Sequence, residues 1–460
     1  MKKFEGFEYV LENIETYSSA GRRYKNNLPW SADAVALREE WLRVGRCVRL
    51  LGDENAKESV MAIGHALMQL HDIHNTLESL RHGEVMSEVD LFEIKNLCQQ
   101  VACVRQSAVA LNMEDVLSVP DVQDVFRLLD PDSTGVVSFY VYDSYDSRLS
   151  EIRKQLKKLR MQADSDSSGE LVGYVAQEQQ IQAEVLHRLS DSLRDDAERL
   201  LLALSQMAYI DVLWAKARLA CDWHLTMPLV SESKSALRGL YNPSLRHHKE
   251  QQGLRYQPVD VEIGPGVTLV TGTNMGGKTV LLKTLAVAQM MAQYGMWVPA
   301  ESAQLVLVDD VVLCVGDEQN ELRGLSSFAA EMTQISSLIS QSRSQRLMVL
   351  IDEPARTTNP KEGRVLAEAI ANVLQQRSSL TVITTHYSLG SVVSKRYRVR
   401  GFDETIGHVA VSVQTINQFM DYSLVLDTVA EPPQEAIRIA SLLGCDKELL
   451  EMVACVNNNR

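Results

Sequence analysis

The chain is 460 residues long, 45% hydrophobic and 23% charged, with a formal net charge of −14. That composition excludes a disordered or fibrous chain, and the length asks for two or three domains. The acidic balance excludes a surface that wraps nucleic acid on all sides, because phosphate binding needs concentrated Lys and Arg, but it leaves room for a local basic stripe.

The first thirty residues carry scattered charges (Lys2, Lys3, Glu5, Glu8, Glu12) and no apolar run, so no secretory signal is expected. No stretch holds eighteen consecutive apolar residues, which argues against a membrane span. Seven cysteines without paired spacing read as reduced thiols of a cytoplasmic protein.

From Trp30 to Leu117 the pattern is helical. Ile63, Leu67, Leu70, Leu77 and Leu80 form one apolar stripe, with His65, His71 and His74 placed along the same helix. No Cys or carboxylate cluster completes a metal site around those histidines. Asp130–Gly135 is a turn cluster followed by a β-rich run, Val136 to Tyr142. It imitates a calcium loop, as does Asp164–Gly169, but the twelfth positions are Val141 and Val175 where a bidentate Glu is needed. Both read as turns.

The second cluster separates two helical arms. Leu149, Ile152, Leu156 and Leu159 make a coiled-coil seam on the first, and Leu186, Leu189 and Leu193 continue it on the second. The first arm also carries Arg153, Lys154, Lys157, Lys158 and Arg160, a stripe able to meet phosphate. Over residues 141–200, however, nine Lys or Arg face twelve Asp or Glu, so a solvated helix face remains the competing reading. Near Pro228–Pro243 helices give way to loop. From Val261 short β-rich runs (Val267–Thr271, Gln304–Val308, Leu347–Asp352, Leu380–Thr385) alternate with amphipathic stretches, which implies an α/β domain with a largely parallel sheet.

The chemistry concentrates there. Gly272-Thr273-Asn274-Met275-Gly276-Gly277-Lys278-Thr279 has the phosphate-loop spacing, after a strand and before a helix running from Val280. Its glycines let backbone N–H groups turn around phosphate oxygens, and the helix N-terminus adds positive charge. Lys278 is placed to reach the β- and γ-phosphates and Thr279 to hold Mg²⁺. Leu347–Glu353 is a buried strand ending in two acids. Carboxylates there need a reason, and beside the phosphate loop Asp352 would bind the metal through water while Glu353 activates the attacking water. His386, ending Thr384-Thr385-His386, is placed as a γ-phosphate sensor.

These segments occur with Tyr294–Ala300, Ser326–Met332, Thr385-His386-Tyr387 and Glu435–Leu449 in the order and spacing of MutS-family ATPases, which the chain resembles over roughly residues 235–450. The resemblance implies an ABC-type P-loop ATPase domain (236–460) with a C-terminal helical dimerisation segment. Before it the family implies an all-α lever domain (1–140, resuming at 206–235) and a protruding coiled-coil clamp hairpin (141–205). It implies ATP and Mg²⁺ as cofactors, and a homodimer or paralogous heterodimer in which Ser326 approaches the γ-phosphate bound by the partner subunit. By the same analogy Asn242-Pro243 takes the place of a His-Pro beside the base, and Tyr241 stacks on adenine.

Two departures stand out. About thirty residues precede the helices and no Phe-x-Glu wedge in a comparable domain is found, so direct mismatch reading is not expected. The loop Pro354–Pro360 keeps Arg356 and Thr358 but replaces both glycines of the family's Gly-Arg-Gly-Thr-Ser-type loop. Two functions remain open: a clamp that closes on double-stranded DNA, and a remodelling ATPase that reactivates a cobalamin-dependent aminomutase.

Overall fold

The computed structural model describes residues 5–161, 168–272, 276–315, 327–389, 393–402, 419–427 and 445–458. These form two compact units. A helical unit comprises Ile14–Leu28 and Arg43–Arg218. A sheet unit takes the N-terminal residues up to Asn13, Pro29–Leu42 and the chain from Leu219 onward. The N-terminal region is thus shared between the two units, where sequence alone assigned residues 1–140 to a single helical domain.

In the helical unit the stripe Ile63, Leu67, Leu70, Leu77 and Leu80 is buried throughout. It spans two helices, Lys57–Met68 and His74–Arg81, and not the single helix expected. His71 falls in the break, with Nδ1 2.9 Å from a Glu93 carboxylate oxygen. Helix Glu88–Ala110 starts from a capping box between Ser87 and Asp90, which satisfies two otherwise orphaned N–H donors. It carries Lys95, fully buried, into the turn cluster. There Lys95 Nζ donates to Asp130 Oδ1 (3.1 Å) and to the Ser138 carbonyl (3.1 Å). Asp130 also accepts from Thr134 Oγ1 (2.7 Å) and the Gly135 N–H (2.8 Å), so this turn is organised around a lysine. The run Val136–Tyr142 is not a strand. Its Ser138 and Val141 carbonyls are bonded by the side chains of Lys95 and Arg153, and no second strand lies beside it among the described residues.

Helices Ser147–Met161 and Ser168–Leu193 pack as an antiparallel pair. Leu149 and Leu156 on the first arm and Ile181, Val185 and Leu189 on the second are buried, and the second arm buries Ile181 and Val185 more deeply than Leu186. Arg148–Glu184 (2.7 Å) and Arg153–Glu178 (2.8 Å) bridge the arms. Arg153 is therefore neutralised inside the pair, while Lys154, Lys157, Lys158 and Arg160 stay exposed. The apolar stretch within 169–222 has the length and hydropathy of a membrane span, but 72% of that window is buried within the protein, as in a core helix.

Among the described residues the sheet unit contains ten strands: β1 (Leu229–Val230), β2 (Ser235–Leu240), β3 (Val259–Ile263), β4 (Gly266–Thr271), β5 (Ser302–Leu305), β6 (Asp310–Cys314), β7 (Leu347–Asp352), β8 (Leu380–Thr384), β9 (Lys395–Phe402) and β10 (Met420–Leu426). Four make a mixed sheet in the order β1-β5-β2-β3. Six make the main sheet, β10-β9-β4-β8-β7-β6, parallel except for the edge strand β10. Strands β4, β7 and β8 read as continuous apolar runs because helices cover the sheet. On one face Ala367, Ile370, Ala371 and Leu374 of helix Pro360–Gln375 and Ile335 and Leu338 of helix Ser327–Gln341 pack on Val267, Leu269, Val349 and Ile351.

The Lys95–Asp130 pair generates a stability prediction. Burial alone would raise the Asp130 carboxyl. The bonds from Thr134, Gly135 and Lys95 overcome this and hold it down at about 2. Its stabilisation should be complete above the ordinary carboxylate range and fade as pH falls toward 2. Asp130→Asn should lower unfolding free energy by about 3–5 kcal/mol at neutral pH, since it strands a buried ammonium, and should flatten the acid limb of stability. Urea melts across pH check both.

Candidate nucleotide site

Strands β4, β8 and β7 end in register. Val270 stands opposite Thr384, and Thr384 opposite Asp352. Because the strands are parallel, the three segments that leave them emerge together at the carboxyl edge of the sheet, where ligands bind in open α/β folds. The segments are the phosphate loop after Thr271, the acids Asp352-Glu353, and Thr385-His386.

Gly272 has φ 148°, and a Cβ there would lie 3.0 Å from Val399 Cβ. Gly277, at φ 71°, is the N-cap of helix Lys278–Gln293 and adopts the left-handed backbone that turns the loop into the helix. Lys278 is almost fully buried. Its Nζ donates to the Gly272 carbonyl (2.7 Å) and lies 3.3 Å from Glu353 Oε1. Thr279 Oγ1 donates to Asp352 Oδ2 at 2.5 Å, and Thr384 Oγ1 donates to Asp352 Oδ1. A carboxylate at the end of a buried strand is thus bonded by two hydroxyls. This cluster of hard oxygens suits Mg²⁺ and is poorly matched to softer metals.

Glu353 has φ 47° and Ala355 φ 59°, left-handed values that cost a residue with a side chain about 1–2 kcal/mol each. The Glu353 N–H forks between the Thr384 carbonyl (3.0 Å) and Thr384 Oγ1 (3.2 Å). Its carboxylate is 9% exposed and sits between Lys278 and Arg356 Nη1 (3.1 Å). The Ala355 N–H donates to Glu331 Oε1 (2.8 Å). Burial pushes the Glu331 carboxyl above the ordinary range, opposed in part by that bond. His386 is exposed at the same edge, its ring 4.3 Å from that of Tyr387.

Beside the loop lies a cleft of about 350 Å³, lined by Gly276, Gly277, Lys278 and Thr279 together with Leu245, Lys249, Tyr256 and Tyr422. Lys249 Nζ lies 5.8 Å from the Tyr256 ring centroid and 5.6 Å from that of Tyr422. Gln257 holds the wall in place, donating to Asp421 and Ser423 and accepting from the Tyr422 N–H. Tyr241 does not line this cleft. Its hydroxyl donates to the Trp223 carbonyl, Arg246 lies 4.5 Å over its ring, and burial pushes its phenol up to about 12. Asn242 instead caps helix Pro243–Gln251 by accepting from the Leu245 N–H.

The structure therefore gathers Gly272, Gly276, Gly277, Lys278, Thr279, Asp352, Glu353 and His386 at one edge. Asn274 and Ser326 lie outside the described residues, as does most of the 435–449 segment. Sequence reading missed Lys249, Tyr256 and Tyr422, which come from a helix, the loop after it and an edge strand more than 160 residues further on, and share no motif. It quoted Thr384 and Glu331 within motifs but gave them no role.

Residues 268–458 match the family model for MutS domain V. This part of the chain is similar to that domain of the MutS family. The chain is also similar to proteins named Endonuclease MutS2. It is 31% identical over 289 residues to that of Caldanaerobacter subterraneus, covering 62% of this chain and 35% of the relative. It is 34% identical over 217 residues to that of Lactobacillus acidophilus (46% and 27%), and 27% identical over 387 residues to that of Alkaliphilus oremlandii (76% and 45%). The chain thus spans less than half the length of these relatives. In MutS terms, the matched domain opens inside β4 and holds the phosphate loop, both acids and Tyr422. Tyr256 and Lys249 come from residues before it.

Gly277→Ala tests the loop geometry. The new Cβ would meet left-handed strain and the Tyr422 ring at 3.2 Å. Nucleotide affinity should fall roughly tenfold, the equivalent of about 1.4 kcal/mol. Gly253→Ala is the control, having φ 69° but open space around it, and should bind like wild type. Titration with a fluorescent ATP analogue reads both.

Proposed function

We propose that the chain binds Mg-ATP in the cleft, hydrolyses it at the edge of the main sheet, and works as a dimer on double-stranded DNA. The observation that carries this reading is the in-register row Val270, Thr384 and Asp352, at whose carboxyl edge Lys278 and Thr279, the hard-oxygen cluster and the ion-paired acid Glu353 stand together. Lys278 and the loop N–H groups bind the β- and γ-phosphates, and Thr279 and Asp352 hold the metal. Mg²⁺, when bound, neutralises charge on the phosphates. Glu353 orients the attacking water and takes its proton as the bond from γ-phosphorus to the ADP oxygen breaks. Lys278 must move from Glu353 toward phosphate for this, which removes one of the two cations that flank the acid as nucleotide arrives. His386 senses the γ-phosphate from the same edge. Tyr256 and Tyr422 stack the base, in place of Tyr241.

Dimerisation is supported by helix Lys447–Asn458, which exposes Leu449 (57%), Met452 (61%) and Val456 (54%) at helical spacing. In the dimer Ser326 completes the partner's γ-phosphate site, whether that partner is a second copy or a paralogue. The nucleotide state then drives the hairpin 147–193, a clamp arm on a helical lever. DNA is favoured as client because Lys154, Lys157, Lys158 and Arg160 stay exposed on that arm, and because the relatives carry a nuclease name. The aminomutase-reactivating reading has no such support from them.

Glu353→Gln should retain ATP, cut hydrolysis about 100-fold or more, and elute as a dimer with Mg-ATP in gel filtration; Lys278→Ala should fail to retain nucleotide. Titrated with duplex DNA, the trapped Glu353→Gln protein should bind at low salt and lose affinity steeply as salt rises. Wild-type hydrolysis by Glu353→Gln would overturn the catalytic assignment. No duplex binding even at low salt would overturn the DNA reading.

A further inference from the structure

Two left-handed residues flank Pro354, and they are held by different elements. Glu353 is fixed by Thr384 from the neighbouring strand. Ala355 is fixed from elsewhere: its buried N–H is met by Glu331 on helix Ser327–Gln341, 24 residues earlier in the chain. On its other side Ala355 has little freedom. A Cβ on Gly363 would lie 2.8 Å from the Ala355 carbonyl and 2.7 Å from the Tyr387 hydroxyl, so the loop is packed closely against the start of helix Pro360–Gln375. An alanine does not favour φ 59° by itself, and a buried N–H without an acceptor is destabilising. The Glu331 carboxylate supplies that acceptor, and it is half-buried, so the bond is shielded from water.

We propose that Glu331 is a positioning residue for hydrolysis. By holding Ala355 in its left-handed turn it sets the direction in which Glu353 leaves β7, and hence where the acid stands relative to the attacking water. Glu331 touches neither nucleotide nor water in this account and acts only through the loop. The same hydrogen bond ties helix Ser327–Gln341 to the loop that follows Glu353. The proposal rests on the role given to Glu353 above.

The test compares Glu331→Ala, Glu331→Gln, Ala355→Gly and the Glu331→Ala/Ala355→Gly double variant in the full chain, with Glu353→Gln alongside. Steady-state hydrolysis, nucleotide affinity and thermal melting are measured for each. Glu331→Ala should lose about 10- to 100-fold in kcat with less than about threefold change in nucleotide affinity, as expected when a reacting group is displaced by a fraction of an ångström to an ångström. Glu331→Gln keeps an oxygen acceptor and should stay within about threefold of wild type. Glycine takes φ 59° without penalty, so Ala355→Gly should restore most of the kcat lost in Glu331→Ala. An unchanged kcat in Glu331→Ala while Glu353→Gln is inactive would overturn the proposal and leave the reading of Glu353 intact. So would a loss that Ala355→Gly does not relieve and that tracks a fall in melting temperature. Wild-type hydrolysis by Glu353→Gln would overturn the reading of Glu353, and this proposal with it.

Discussion

The hydrogen bonds from Thr279 and Thr384 to Asp352 are the interaction on which the rest of the sheet edge depends. Asp352 ends a strand whose preceding five residues are fully buried, where an unpaired carboxylate would be costly. Both hydroxyls reach it because β4, β8 and β7 are parallel and in register, and because helix Lys278–Gln293 starts immediately beyond β4. A slip of one residue in β7 would turn Asp352 to the other face of the sheet and abolish the cluster. The same register places the Glu353 N–H on Thr384, so Asp352 and Glu353 are both held by that one neighbour.

The acid itself is stabilised at a cost. Glu353 and Ala355 both occupy backbone that residues with side chains avoid, and each needs an outside partner to remain there. In the described state Glu353 is also flanked by two cations, Lys278 and Arg356. In the proposed function a triphosphate competes for Lys278, so arrival of the ligand would remove one of the two cations from the acid. Strain and ion pairing thus keep the group poised without leaving it exposed to water.

Much of this was legible in the sequence, and the reasons are local. A phosphate loop is a contiguous strand-turn-helix, and Leu347–Glu353 is a contiguous apolar run closed by acids; both announce themselves within eight residues. The base end of the cleft did not, because Lys249, Tyr256 and Tyr422 meet only through the pairing of β10 with β9 and the packing of β10 near β3. Tyr241 looked equivalent in sequence, but Arg246 and the Trp223 carbonyl hold it elsewhere. In the helical unit the apolar stripe from Ile63 to Leu80 is buried, but periodicity carried straight across the break at residues 69–73. Val136–Tyr142 has strand-like residues but no strand to pair with. Arg153 looked like one of five equivalent cations until Glu178 and Asp143 were seen to neutralise it.

The central claim is that Asp352, held by its two hydroxyl neighbours, makes this edge a magnesium-nucleotide site. The most direct measurement is the affinity of the full chain for a fluorescent ATP analogue, with and without Mg²⁺, in wild type and in Asp352→Asn. The account predicts that Mg²⁺ tightens binding by about tenfold or more in the wild type and by no more than about twofold in the variant. Equal enhancement by Mg²⁺ in both proteins would contradict it.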